Sequence, residues 1–193
     1  MLVAKQNKSR AQGKLRIIGG QWRSRQLPVI EADGLRPTTD RVRETLFNWL
    51  QENVPGSSCL DLFAGSGALG FEAASRGASK VVLVEKSSSI YKMLQQNVKK
   101  LGASQITLLN LDALSYLQNL TTAESAKYDI VFIDPPYQSA LLGPVIDLLV
   151  LSVGTKVYLE ARKGDEINVP DNWNLLKDKT AGQIHFCLYE IRD

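Results

Sequence analysis

The sequence predicts an α/β fold: a doubly wound seven-stranded sheet, mostly parallel, with a C-terminal antiparallel hairpin and a small N-terminal β-hairpin extension. Three observations predict it. From Ser58 onward, strand-like and helix-like segments alternate, a pattern that builds a parallel sheet through right-handed crossovers. Several strands are unbroken apolar runs, such as "VVLV" and "IVFI", as expected when both faces of a sheet are covered. The tail breaks the alternation, because "NWNLLKDKTAGQIHFCLYEI" holds two strand-like runs joined through Ala181-Gly182, a hairpin signal.

Taken in order, residues 1–13 read as a flexible basic tail. "KLRIIGGQWRSRQLPVI" reads as two short strands around a Gly19-Gly20 turn, and residues 14–37 form the extension. Residues 38–54 read as a helix capped by Thr38 or Thr39, with Val42, Leu46, Trp49 and Leu50 at helical spacing and Pro55-Gly56 as its stop. Strands are expected at 58–62, 80–85, 105–110, 128–134 and 155–160, and helices at 67–76, 88–101, 113–120 and 139–151. Residues 38–193 thus make the main domain.

A chain of 193 residues is long enough for one well-buried domain. No apolar run approaches a membrane span, and the first residues are too short an apolar stretch for a secretory signal. The expectation is a soluble, cytoplasmic protein. Cys59 and Cys187 lack C-x-x-C spacing and read as reduced core residues. With His185 as the single histidine and no ligand cluster along the chain, no metal site is expected. Charge is distributed unevenly. Residues 1–43 carry ten Lys/Arg against Glu31, Asp33 and Asp40, a balance of +7, whereas the rest carries 13 basic and 17 acidic groups, a balance of −4. A basic arm on a mildly acidic body points to a polyanionic partner.

"CLDLFAGSGALGFEAA" is a strand, a glycine-rich turn and a helix start, with Gly65, Gly67 and Gly70 in G-x-G-x-x-G spacing. Dinucleotide and S-adenosylmethionine enzymes share this arrangement. A phosphate loop is excluded, because Phe71 stands where it would require lysine. Glu85 ends the next strand, where a carboxylate can accept hydrogen bonds from both ribose hydroxyls of an adenosine. Asp112 ends the third, placed for an adenine amino group or for capping the following helix. A nicotinamide dehydrogenase would need a proton-transfer residue that the sequence does not offer. The fourth strand runs into "DPPY". Pro135 and Pro136 have no N–H, so with an ionised Asp134 the segment offers only acceptors, and Tyr137 adds an aromatic face. Its complement is a donor on a flat ring.

Asp-Pro-Pro-Tyr after the fourth strand, joined to "DLFAGSGALG" after the first, resembles S-adenosylmethionine-dependent methyltransferases that modify exocyclic amines of nucleobases. By itself the tetrapeptide leaves adenine N6, cytosine N4 and guanine N2 open. "IIGGQWRSRQL" and "RPTTDRVRETLFNWL" narrow the resemblance to the RsmD family, bacterial enzymes that methylate guanine N2 in small-subunit (16S) ribosomal RNA. It runs over about residues 15–191. The resemblance implies a Rossmann-like methyltransferase fold, S-adenosyl-L-methionine as cofactor, and ribosomal RNA or the assembling small subunit as partner. A monomer is expected. The target amine is then held by Asp134, Pro135, Pro136 and Tyr137. The cofactor falls to Asp61, Phe63, Ala64, Gly65, Ser66, Gly67, Glu85, Lys86, Asp112 and Ala113. RNA contacts are expected from Arg16, Trp22, Arg23, Arg25, Arg36, Arg41 and Arg43, with 36–40 fitting either an RNA contact or a lid over the cofactor. An adenine-N6 or other exocyclic-amine nucleic-acid methyltransferase is the alternative.

Overall fold

The computed structural model describes residues 12–30, 39–120, 127–136 and 140–193. The N-terminal hairpin pairs β1 (Gln12–Arg16) with β2 (Gln26–Ile30) in antiparallel register, Gln12 opposite Ile30 and Arg16 opposite Gln26. Its connection is wider than the two-glycine turn expected from the sequence: a 3₁₀ turn covers Gly20–Trp22, and Ser24 N–H closes back on the Ile17 carbonyl at 2.8 Å. The glycines serve docking instead. Gly20 has φ +73°, and a Cβ there would lie 1.8 Å from the Ser75 carbonyl oxygen, a contact no side chain survives.

Helix α1 (Asp40–Trp49) is shorter than its apolar spacing suggests, and Thr39 caps it by accepting from Val42 N–H at 3.4 Å. The main sheet contains β3 (Ser58–Asp61), β4 (Lys80–Val84), β5 (Ile106–Leu109), β6 (Ile130–Ile133), β7 (Lys156–Arg162), β8 (Trp173–Ala181) and β9 (Ile184–Ile191). Their order is β5-β4-β3-β6-β7-β9-β8. The first five run parallel, and β9 and β8 add the antiparallel hairpin. Helices α2 (Ala68–Ser75), α3 (Ser88–Leu101), α4 (Ala113–Asn119) and α5 (Leu142–Leu148) lie in the crossovers. The order reverses between β3 and β6, where open α/β sheets leave a ligand crevice at the carboxyl ends of the strands.

Two apolar layers sandwich the sheet. One joins α1, α2, α3 and the hairpin residues Leu15, Ile17, Trp22 and Leu27; the other is covered by α4 and α5. The hairpin is therefore built into the core. Within the first layer Phe132 meets Phe47 and Tyr158, with ring centroids 6.1 and 6.4 Å away. No described helix is long and apolar enough to cross a membrane.

Candidate active site

Four carboxylates stand at or just past the carboxyl ends of four neighbouring strands. Asp61 pairs with Leu83 on one side and Phe132 on the other, and Val84 pairs with Leu109. Glu85, Asp112 and Asp134 therefore lie just past the ends of β4, β5 and β6, with neighbouring strands ~4.8 Å apart.

Asp61 is buried, and its oxygens accept from Phe63 N–H at 3.3 Å and Gly70 N–H at 3.2 Å. It clamps both ends of the glycine loop. Burial pushes its carboxyl up to about 7; the two amides oppose that rise and nearby Glu85 adds to it. Inside the loop Gly65 and Gly67 have φ +50° and +79°. A Cβ on Gly67 would lie 2.4 Å from the Phe71 ring, and one on Gly70 would lie 2.1 Å from a Leu83 methyl. Those two glycines permit close packing of α2 on the loop and on β4. Ala64 and Gly65 are buried, while Phe63 and Ser66 are partly open.

Glu85 spans the loop and the next turn, accepting from Gly65 N–H at 2.9 Å and Ser87 N–H at 2.6 Å. Burial raises its carboxyl and the two amides counteract it. Asp112 does cap α4, accepting from Leu114 and Ser115 N–H at 3.0 and 3.4 Å. Its other oxygen meets exposed Lys86 at 3.0 Å, and that bond holds the carboxyl below its usual range. Ala113 is buried behind it. Asn110, not expected from the sequence, donates to the Glu85 and Lys86 carbonyls at 2.8 and 3.1 Å; its signal is a side-chain amide directly after an apolar strand.

Asp134 is partly exposed, Pro135 buried and Pro136 exposed, all directly after β6. The Leu62 N–H donates to the Phe132 carbonyl at 3.2 Å, tying this strand end to the glycine loop. Tyr137 lies outside the described residues, as does Arg36.

The expected RNA set divides. Arg23, Arg25 and Arg41 are exposed, and Arg16 stays 57% exposed while pairing with Asp40 at 2.8 Å. Trp22 and Arg43 correct the expectation. Trp22 is buried in the core with its N–H on Ser75 Oγ at 3.0 Å. Arg43 is 1% exposed: it donates to the Arg16 carbonyl at 3.0 Å, pairs with Asp40 at 2.6 Å, and lies 3.8 Å from Glu72. Its guanidinium faces inward and cannot meet a phosphate.

Glu72, like Asn110, was not expected from the sequence. Fully buried in α2, it accepts from Ile18 N–H at 2.8 Å and Gly19 N–H at 2.7 Å, and pairs with Arg76 at 2.7 Å. Ser75 Oγ adds a 2.6 Å bond to the Gly19 carbonyl. The hairpin is thus fastened to the helix that opens at the glycine loop. A charged residue within the otherwise apolar "ALGFEAAS" was the available signal. His185, the single histidine, is half-buried on β9 with Nε2 2.9 Å from Asp178.

The family described as conserved hypothetical protein 95 matches residues 15–190. The chain belongs to this family. It is the RsmD family. Ribosomal RNA small subunit methyltransferase D of Haemophilus influenzae is 43% identical over 186 residues, covering 93% of this chain and 95% of that protein. The protein of that name from Escherichia coli K12 is 45% identical over 183 residues, covering 92% and 90%. The solved structure of Escherichia coli yhhF matches with a TM-score of 0.84 at 42% identity, covering 93% and 98%. The fold is that of the methyltransferases, as the RsmD resemblance implied.

Proposed function

We propose that this RsmD-family chain transfers a methyl group from S-adenosylmethionine to the exocyclic N2 amine of a guanine in small-subunit (16S) ribosomal RNA. The observation that carries it is an adjacency. The clamped glycine loop and the acceptor-only Asp134-Pro135-Pro136 segment end neighbouring strands at the point where the sheet order reverses. The near full-length relatives named for small-subunit ribosomal RNA support the substrate class. So do the exposed Arg23 and Arg25 of the hairpin and Arg41 of α1. Residues 14–37 then form the RNA-binding extension of a methyltransferase domain spanning 38–193.

The residues fit the cofactor. Glu85 meets the loop through backbone amides, and a carboxylate so placed suits two ribose hydroxyls. Asp112, held ionised by Lys86, suits an adenine amino group, and Lys86 and Ala113 flank it. Asp61 shapes the loop that Phe63 to Gly67 compose. When bound, S-adenosylmethionine supplies a methyl group on a positively charged sulfur.

The chain's own task is to prepare the nucleophile. The lone pair of a guanine amine is delocalised into the ring, so it must be redirected. The Asp134 carboxylate and Pro135 carbonyl accept its two N–H bonds, drawing the nitrogen toward tetrahedral geometry and aiming its lone pair. Orientation and fixed dipoles supply the rate gain. The proton shed on alkylation passes to Asp134 and on to water. Pro136 leaves no donor to compete, and Tyr137 stacks on the base, worth ~1 to 3 kcal/mol. That offsets the few kcal/mol of unstacking, so an unpaired nucleotide is the preferred target.

Asp134→Ala tests this. Methyl transfer should vanish while calorimetric binding of S-adenosylmethionine persists; undiminished turnover removes Asp134 from the mechanism. Mass spectrometry of ribosomal RNA nucleosides from cells with and without the protein should show one N2-methylguanosine lost. Label appearing at adenine N6 would favour the alternative enzyme.

A further inference from the structure

The terminal hairpin carries a side-chain cluster that the proposed reaction does not use. No ligand cluster is visible along the chain, and the hairpin register creates one. Asp178 of β8 stands opposite Cys187 of β9, and His185 lies two residues before Cys187, so all three side chains share one face. A β-bulge makes this possible: the register of β8 shifts between Leu175 and Lys177. Continued without that shift from Leu175 opposite Tyr189, the ladder would set Lys177 opposite Cys187, a cation where a carboxylate now stands. Bulges re-aim side chains in this way.

The cluster converges on one atom. His185 Nε2 lies 2.9 Å from Asp178 Oδ1 and 3.4 Å from Cys187 Sγ, and the three ligand atoms all lie within 4.8 Å of one another. A neutral imidazole nitrogen offers either one proton or one lone pair. A single proton serves one neighbour well, whereas an ion set among the three serves all of them. Zinc bonds of ~2.0 to 2.3 Å in tetrahedral geometry hold such donors roughly 3.3 to 3.6 Å apart, close to the two spacings at Nε2. A carboxylate and a thiolate also offset the charge of a divalent ion. The Asp178 and His185 side chains are 52% and 25% exposed, so an ion can enter from solvent. Cys187 is buried and need not open, because its sulfur already meets the half-buried nitrogen and a bare ion takes the place of the proton between them. Leu159 and Ala161, opposite Cys187 and His185 on β7, close the inner side.

We infer that Asp178, His185 and Cys187 form a zinc site, with water as the fourth ligand, that fastens β8 to β9. Binding forms one bond from zinc to each side chain and releases to solvent the thiol proton and any proton on Nε2. An edge strand presents unpaired backbone groups, and β8 ends the sheet; a cross-strand clip holds it beside its bulge. The site does not depend on the methyl-transfer reading.

The test titrates the full chain, stripped of metal by a chelator under reducing conditions, with Co²⁺ and then with Zn²⁺. One equivalent of Co²⁺ should produce the visible bands of four-coordinate cobalt and a thiolate-to-cobalt charge-transfer band in the near ultraviolet, and Zn²⁺ should remove both. Zn²⁺ should also raise the thermal midpoint of unfolding. His185→Gln and Asp178→Asn alter side chains open to solvent, so the fold stays measurable, and each should weaken Co²⁺ binding by roughly 10- to 100-fold or more. Cys187→Ser should lose the charge-transfer band. A wild-type chain that shows no such band overturns the inference. So does a His185→Gln protein that binds Co²⁺ as tightly as wild type, or a band that survives in Cys187→Ser.

Discussion

The glycine loop and the hairpin seam both bury carboxylates, and they satisfy them differently. At the loop, Asp61 and Glu85 rest on backbone amides: Phe63, Gly70, Gly65 and Ser87 donate, and no cation is among these bonds. At the seam, Glu72 takes two backbone amides and also the guanidinium of Arg76, with Arg43 3.8 Å away. Amide dipoles compensate a charge only in part, which is why burial still pushes Asp61 up to about 7. A carboxylate left in that state keeps lone pairs for neutral donors such as hydroxyls. A carboxylate enclosed by guanidinium groups has none to spare, and its work is to hold two pieces of chain together.

The sharpest way to break this comparison is Glu72→Ala. It leaves the Ile18 and Gly19 amides without their acceptor and strips Arg43 and Arg76 of a buried counter-charge, a loss of about 3–5 kcal/mol. Urea unfolding should show it. A loss below ~1 kcal/mol would mean that the apolar residues of the hairpin hold it in place alone.

The loop carboxylate should reveal itself through pH. Asp61 titrates at about 7 in the fold and near ~3.9 in an unfolded chain. Between those values the folded state keeps a proton that the unfolded state has lost, so stability falls as pH rises through the window. The complete effect is on the order of 4 kcal/mol. Asp61→Asn should flatten the stability curve between about pH 4 and pH 7; parallel curves for variant and wild type would refute the assignment. Asp40 at the seam has the opposite sign. Burial works to raise its carboxyl, yet hydrogen bonds from Arg16 and Arg43 prevail and lower it. Its contribution is present above the unfolded value and is lost as pH falls through the folded one.

How much was legible follows the same division. Glu85, Asp112 and Asp134 line up because short parallel strands carry strand-end residues to one edge, and an apolar run followed by an acid marks such an end. Helix α3 falls at 88–101 as its spacing predicts, closed by Gly102 at φ +64°. The hairpin resisted the same reading. Gly19-Gly20 has the composition of a turn, but its conformation is set by Ser75 and Arg76 over fifty positions later. Arg43 and Arg23 are the same residue type in the same basic arm; only the packing of α1 against α2 turns one inward. Glu72 was hidden for the same reason, since the amides of Ile18 and Gly19 that it meets lie more than fifty positions earlier.

That contrast between Arg43 and its neighbours yields the smallest effect and the finest discrimination. An arginine that neutralises one RNA phosphate contributes about 0.7 to 0.9 to the slope of log affinity against log salt. Arg23→Ala and Arg25→Ala should each lower that slope by about one while changing stability by no more than ~0.5 kcal/mol. Arg43→Ala should do the reverse, lowering the unfolding free energy and leaving the salt slope of the folded protein unchanged, because its guanidinium already faces Asp40 and the Arg16 carbonyl. Binding measured by fluorescence anisotropy across a salt series separates the two classes. If Arg43→Ala reduces the slope as Arg23→Ala does, then RNA binding pulls the seam open, and the hairpin is a moving clamp instead of a fixed ledge.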